Sequence, residues 1–484
     1  MSKKTKIGAL VCVAVLLLAV LSIQFGNTRN DSNYIDEAVS YYKPQGTEIV
    51  LIKNGEIDQT LCYGYANVEE KTKVTEDTQF KIASISKVFT SYAIMQLVDA
   101  GKLNLDAPIN SYLTQWQVPA SEYDANKVTL RTLLCHTSGL SGSDATGYID
   151  ENIGVAATLE KDKVHMLREP GTEFVYLEAT GLGICQLVIE ETTGMSFADY
   201  MQKNIFDKLG MTQTSFEDST SALATPYAGL NQPIEVTHYV LTGASGITTT
   251  GTDMARFIVE LMRYQQTGAE MFTPQDLADG AWCLGITPKT LSGGKMIYEH
   301  NGTLTGWNAQ IAISPDTGDG LIVLSNSDKA YYMTYQMMED WGRYALGAAI
   351  IDENITGMSQ SVKTILLGFA AVLFVLIAWN YYLTKCGTLV EKDARKRKIS
   401  YMISGLVMIF AMGFYGVLFY MPIIFDILYQ QPNYYLFSFF PPFIHWLAAE
   451  LLVLSAVVVW RSGYRRKKMQ EKKVSTKGES FSVR

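Results

Sequence analysis

Phe80-Lys-Ile-Ala-Ser84-Ile-Ser-Lys87-Val-Phe-Thr-Ser91 is the stretch around which this 484-residue chain is organised. Ser84 and Lys87 lie three residues apart, so on the first turn of a helix their side chains leave the same face and touch. Ile85, Val88, Phe89 and Tyr92 recur at helical spacing, and Gly101 marks a stop. A serine hydroxyl is a weak nucleophile until a base lies beside it. A lysine one turn on, set in an apolar wall, is desolvated and gives up its proton more readily. A helix N-terminus adds a positive field at Ser84.

The pair alone is not diagnostic. Ser40-Tyr-Tyr-Lys43 has the same spacing, and serine is a preferred helix cap in any protein. Two later stretches strengthen the reading: Tyr176, in a loop after Pro170-Gly-Thr172, and His300-Asn301-Gly302, at the end of a strand.

Charge and hydropathy set the remaining plan. Residues 7–25 are almost wholly apolar and follow Lys3, Lys4 and Lys6, as in a signal peptide or an uncleaved anchor. Apolar blocks at 364–383, 401–425 and 443–460 are each long enough to cross a hydrocarbon core of ~30 Å. Six Lys/Arg in 385–398, nine in 461–484 and the three N-terminal lysines make 18 basic against 4 acidic residues, whereas the rest of the chain holds 22 against 44. The positive-inside rule then places 1–6, the 385–398 loop and the 461–484 tail in the cytoplasm and a domain over 26–350 outside, with four spans if the first is retained. The basic tail faces anionic lipid. No external basic patch or phosphate-binding glycine loop points to nucleic acid. The scattered histidines and isolated cysteines form no metal-ligand pattern, so neither metal nor cofactor is expected.

Within 26–350 the pattern predicts a helix at 33–43, a hairpin of strands 47–53 and 60–66, and the Ser84 helix. Further helices are expected at 128–135, 179–193 and 197–209 and from a Thr252-Asp253 cap to 265. Strands follow at 296–300, 307–313 and 320–325, with turns at Asn301-Gly302 and at 315–320, then a helix over 328–349. Strands at both ends around a helical middle predict an α/β (α+β) fold: one antiparallel sheet flanked by helices, beside a helical subdomain, followed by a C-terminal transmembrane helical region. The groove between sheet and helices is the expected site. His136, in a helix-end turn, reads as a hydrogen-bonding strut.

Taken together, Ile82-Ala-Ser84-Ile-Ser-Lys87, Val128-Thr-Leu-Arg-Thr-Leu-Leu-x-His136-Thr-Ser-Gly-Leu140, Pro170-Gly-Thr-x-Phe174-x-Tyr176, Leu209-Gly-Met211 and His300-x-Gly302 with Gly306-Trp307 resemble the serine hydrolases of the class C β-lactamase and penicillin-binding-protein group, over residues 33–345. The resemblance implies a β-lactamase/transpeptidase-like fold and an acyl-enzyme on Ser84. Lys87 and Tyr176 would serve as base and proton relay, and His300 would stand where many relatives carry the lysine of Lys-Thr-Gly. Gly302 would admit close approach, and the backbone N–H groups of Ser84 and Thr303 would form an oxyanion hole, usually worth ~3–4 kcal/mol per donor. One departure stands out. Where the family reads Tyr-x-Asn, this chain reads Tyr176-Leu177-Glu178, and an ionised Glu178 cannot donate. It either pairs with Lys87 and holds it charged or points away.

The expectation is a multi-pass protein of a bacterial plasma membrane. Its extracellular serine hydrolase domain would act on a peptide, amide or ester. The alternative is a hydrolase-like receptor or scaffold that binds a cell-wall ligand, its spans holding a protein partner.

Overall fold

The computed structural model describes residues 33–142, 153–177, 179–217, 220–228, 231–236, 238–276, 282–351, 355–429 and 446–466. The proposed leader at 7–25, Glu178, the end of the basic tail and the start of the last apolar block lie outside the described residues. The chain divides into a larger unit containing Arg29–Ser359 and a smaller one containing Gln360–Met421 and the last apolar helix.

The larger unit is built on one sheet of seven strands: β1 Gly46–Lys53, β2 Glu56–Asn67, β3 Thr72–Lys73, β4 Thr287–Thr290, β5 Met296–Leu304, β6 Trp307–Ser314 and β7 Asp319–Ser325. Their order is β3-β2-β1-β7-β6-β5-β4, and every pairing is antiparallel. The first strand of the domain thus pairs with the last, Ile49 opposite Val323 and Val50 opposite Ile322. The central strands are apolar on both faces because both faces are covered. Val50, Ile52, Ile311, Ile313, Ile322 and Leu324 point into the core shared with the Ser86–Asp99 and Gly251–Gln266 helices. Ile49, Ala312, Leu321 and Val323, one residue out of phase, pack under the Tyr34–Tyr42 and Tyr331–Tyr344 helices. A one-residue slip would exchange the two sets.

Several expected boundaries move for local reasons. No turn forms at Asn301-Gly302: β5 runs through it, with Asn301 opposite Gln310 and Gly302 opposite Ala309. The chain reverses instead at Gly306, whose φ is +77° and whose N–H donates to Asp328 Oδ1 at 2.7 Å. The helix expected to be capped by Thr252-Asp253 is capped by Thr250, whose hydroxyl accepts the Asp253 N–H. The small-residue run 242–250 folds into a helical turn, Thr242–Ser245, and a short strand, Thr248–Thr249. The 197–209 helix forms with a π-helical segment at Gln202–Phe206. The helix expected over 328–349 is Tyr331–Tyr344.

Buried at the middle of β1, Glu48 accepts the Gly251 N–H at 3.0 Å, so a sheet residue caps the Gly251–Gln266 helix. Burial pushes its carboxyl up to about 8, against the lowering effect of that hydrogen bond.

Ile355–Lys385, Ala394–Tyr429 and Trp446–Ser462 are helices, most of whose residues belong to the smaller unit. Among the described residues one stretch, Ser361–Lys385, is long and apolar enough to cross a membrane. Part of the 385–398 loop, Leu389–Glu391, forms a two-stranded ladder with Tyr464–Arg466. Ala370, Leu373 and Ile377 pack against Val453. Glu450 is fully buried, and its side-chain oxygens make no hydrogen bond among the described residues.

Candidate active site

Ser84 sits where the chain leaves an extended segment for a helix. Phe80 and Lys81 pair with Thr249 and Thr248, and the Ile82 N–H donates to the Ile247 carbonyl at 3.1 Å. The chain then turns sharply. Ala83 takes φ +50°, a region that a residue with a Cβ seldom visits. A single 3-10 turn, Ala83–Ile85, precedes the Ser86–Asp99 helix, so Ser84 stands just ahead of the regular helix that sequence spacing places it on. From Thr78 to Met95 it is the one residue not buried, and the turn thereby lifts its hydroxyl out of a closed core.

The same turn explains Gly302. A Cβ built on Gly302 would lie 2.1 Å from the Ile82 carbonyl oxygen and 3.2 Å from the Ala83 Cβ. Strand β5 therefore meets the Ser84 turn backbone to backbone, which a glycine allows.

Lys87 is wholly buried. Its Nζ lies 3.0 Å from Ser84 Oγ and donates to the Ala244 carbonyl, also at 3.0 Å. A carbonyl can only accept, so when Lys87 is uncharged it keeps one N–H on Ala244 and can turn its lone pair to the Ser84 hydroxyl. The Thr242–Ser245 turn that supplies this carbonyl is held on both sides. Thr90 Oγ1 donates to the Gly243 carbonyl at 2.6 Å, and the Gly243 N–H donates to Gln186 Oε1 at 2.9 Å.

Tyr176 is positioned by His136. The His136 carbonyl accepts the Val175 N–H at 2.9 Å, and its Nδ1 accepts the Leu177 N–H at 3.3 Å. The residues on either side of Tyr176 are thus bonded to one histidine, which takes φ +59° to reach both. With Nδ1 accepting, the neutral ring carries its proton on Nε2. Burial, with Lys87 and His300 nearby, holds His136 well below the ordinary imidazole range. The rings of His136 and Tyr176 are 4.5 Å apart, and Lys87 Nζ lies 5.3 Å from the Tyr176 ring centre.

His300 lies inside β5, not at its end, and is buried. Its Nδ1 is 2.6 Å from the Asn301 carbonyl and donates to it, which leaves Nε2 as a lone-pair acceptor. Burial first, and Lys87 second, push its pKa down to about 3, so the ring is neutral at pH 7. Thr303 is two strand positions short of the turn, opposite Asn308, and its hydroxyl donates to Asn308 Oδ1 at 3.1 Å. Between the histidines stands Trp282, with ring centres 5.2 Å from His136, 5.7 Å from His300 and 5.7 Å from Tyr176. Phe174, exposed at the rim, lies tilted against the same indole with ring centres 5.6 Å apart.

Ser84, Lys87, Tyr176 and His300 therefore converge, with Gly302 against the Ser84 turn and Thr303 next to it in the strand. Glu178 lies outside the described residues. Sequence reasoning missed the Ala244 carbonyl, which leaves no trace in a side-chain pattern. It also missed Trp282, an aromatic eighteen positions before His300 with no spacing signal of its own.

The family description Beta-lactamase matches residues 32–334. Protein flp of Staphylococcus aureus (strain MRSA252) is 22% identical over 404 residues, 78% of this chain and 79% of that protein. Among solved structures, a penicillin binding protein from Bacillus halodurans superposes with a TM-score of 0.55 at 24% identity, covering 64% of this chain and 99% of that one. A beta-lactamase/D-alanine carboxypeptidase from Pseudomonas syringae gives 0.53 at 18% identity, covering 64% and 97%. At these identities the superpositions speak for the fold.

Proposed function

Because the chain belongs to the beta-lactamase family, we propose that it is a membrane-anchored serine hydrolase. Its domain outside the membrane would open a peptide, amide or ester through an acyl-enzyme on Ser84. The observation that carries this reading is the 3.0 Å approach of a fully buried Lys87 Nζ to the hydroxyl of Ser84, the one residue from Thr78 to Met95 that is not buried.

Ser84 Oγ attacks the substrate carbonyl carbon as its proton passes to Lys87 Nζ, with Tyr176 sharing the transfer. Negative charge gathers on the carbonyl oxygen, which the backbone N–H groups of Ser84 and Thr303 receive. The tetrahedral intermediate collapses: the bond to the leaving group breaks, that group takes the proton back through the relay, and the acyl chain stays on Ser84. Water, deprotonated by the same base, then adds to the ester and frees Ser84. His300, neutral and tied to Asn301, contributes shape and a hydrogen-bond acceptor rather than charge.

The membrane part of the reading rests on the Ser361–Lys385 helix and on the charge split. Eighteen of the chain's forty basic residues lie in the three segments assigned to the cytoplasm. Membranes carrying the full chain are treated with a fluorophosphonate probe and, separately, a fluorescent penicillin, with Ser84→Ala as control. Fluorophosphonate labelling that disappears in Ser84→Ala is the expected result. Penicillin labelling in addition would extend the substrate range to β-lactams. A folded protein that takes up neither probe refutes the hydrolase reading and leaves the receptor or scaffold in its place.

A further inference from the structure

The wall beside Ser84 is aromatic. Phe174 is 39% exposed, Tyr176 and Trp282 are part-exposed, and their rings touch through the indole of Trp282. The indole is firmly seated. The Trp282 carbonyl accepts the Gln275 N–H at 2.9 Å, and the next residues turn back through Gly285, whose N–H donates to the Leu134 carbonyl. A Cβ on Gly285 would lie 1.9 Å from Ser91 Oγ, so this segment rests directly on the helix of Lys87.

A substrate carboxylate needs a cation or converging donors. The cations nearest in the chain are engaged elsewhere. Lys87 is buried on Ser84 and Ala244, Lys81 is buried with its Nζ 5.7 Å from the Tyr239 ring, and Arg168 pairs with Glu173 at 3.2 Å. His300 has committed its one N–H to Asn301. Its Nε2 is buried without a hydrogen bond among the described residues, as are His136 Nε2 and Trp282 Nε1. Two of these ring nitrogens donate and the third, on His300, presents a lone pair. All three atoms are buried, so none of them is presented to a substrate carboxylate.

We infer that the part of the substrate resting on Phe174, Tyr176 and Trp282 is an uncharged aromatic or apolar group, so that the site selects neutral esters or amides, the described residues offering no anchor for a carboxylate. This rests on the hydrolase reading above and narrows its substrate class. Trp282 and Phe174 become the specificity-determining residues.

The test uses full-length protein in detergent and two esters that differ by one group, p-nitrophenyl phenylacetate and its 4-carboxyphenyl counterpart. Both are assayed at high ionic strength, so that the net acidity of the outer domain is screened. The neutral ester is expected to show at least tenfold higher kcat/KM. Phe174→Ala and Trp282→Ala are expected to lower kcat/KM for the phenylacetate more than for p-nitrophenyl acetate, shrinking the preference. His300→Lys is expected to raise turnover of the charged ester. Equal or faster hydrolysis of the charged ester by the wild-type protein overturns the inference while the hydrolase reading stands. Failure to turn over either ester, together with absent fluorophosphonate labelling, overturns both.

Discussion

Gly302→Ala isolates the contact between the sheet and the nucleophile turn. The added methyl would sit 2.1 Å from the Ile82 carbonyl oxygen, and real Cβ atoms essentially never come closer than 3.0 Å, so something must move by about 0.9 Å. Strand β5 is held in register by its pairing to β6 from Tyr298 to Leu304. The softer partner is the Ile82–Ser84 turn, which already contains Ala83 at φ +50°. Overpacking of this kind costs about 1–3 kcal/mol, a loss of a few degrees in Tm. Displacing a reacting atom by ~1 Å costs about a hundredfold in rate. The rate of fluorophosphonate labelling is therefore expected to fall ~100-fold while the protein remains folded. Gly268→Ala is the comparison: its φ of +78° is as demanding of glycine, but no atom lies within 4 Å of the new methyl. It should lose about 1 kcal/mol of stability without a matching loss of labelling. A Gly302→Ala protein labelled within twofold of wild type would refute the claim that β5 sets the position of Ser84.

Three further outcomes follow from the same geometry. His136→Ala removes a buried ring and the acceptor of the Leu177 N–H, so a destabilisation of about 2–4 kcal/mol in denaturant titration and slower labelling are both expected. His136→Asn, which tolerates the left-handed backbone, should recover part of each. Glu48 holds its proton up to about pH 8 in the fold and to about 4.5 in the open chain, so the stability it lends is complete below pH 4.5 and is lost as pH rises through 8. Glu48→Gln should flatten that part of the stability–pH curve, and an unchanged slope in thermal melts from pH 5 to 8 would contradict the assignment. Among the described cysteines Cys62 and Cys386 are exposed, and Cys135, Cys185 and Cys283 are buried. An impermeant maleimide added to intact cells should mark Cys62 and spare Cys386 until the membrane is opened. Labelling of Cys386 in sealed cells would reject the proposed topology.

What the sequence by itself determined is whatever depends on near neighbours in the chain. The Ser84–Lys87 spacing forces the two side chains onto one face, and Lys87 Nζ does reach Ser84 Oγ. The stop at Gly194 follows from a left-handed cap that glycine adopts freely, and it forms at φ +67°. Apolar runs bounded by turn residues located the main strands, and strands at both ends of the domain implied one antiparallel sheet drawing on both. Tertiary structure decided what depends on residues brought together from afar. Asn301-Gly302 has the composition of a turn, but pairing along β6 carries the strand through it, and the glycine serves the approach of Ile82 instead. The Ala244 carbonyl reaches Lys87 because Thr90 and Gln186, from two other helices, hold its turn in place. His300 stands in the sequence where the resemblance places a lysine, yet burial, with Lys87 nearby, leaves it neutral. Local spacing is set by covalent geometry and can be read from a string of letters, whereas desolvation and charge depend on every group folded around a residue.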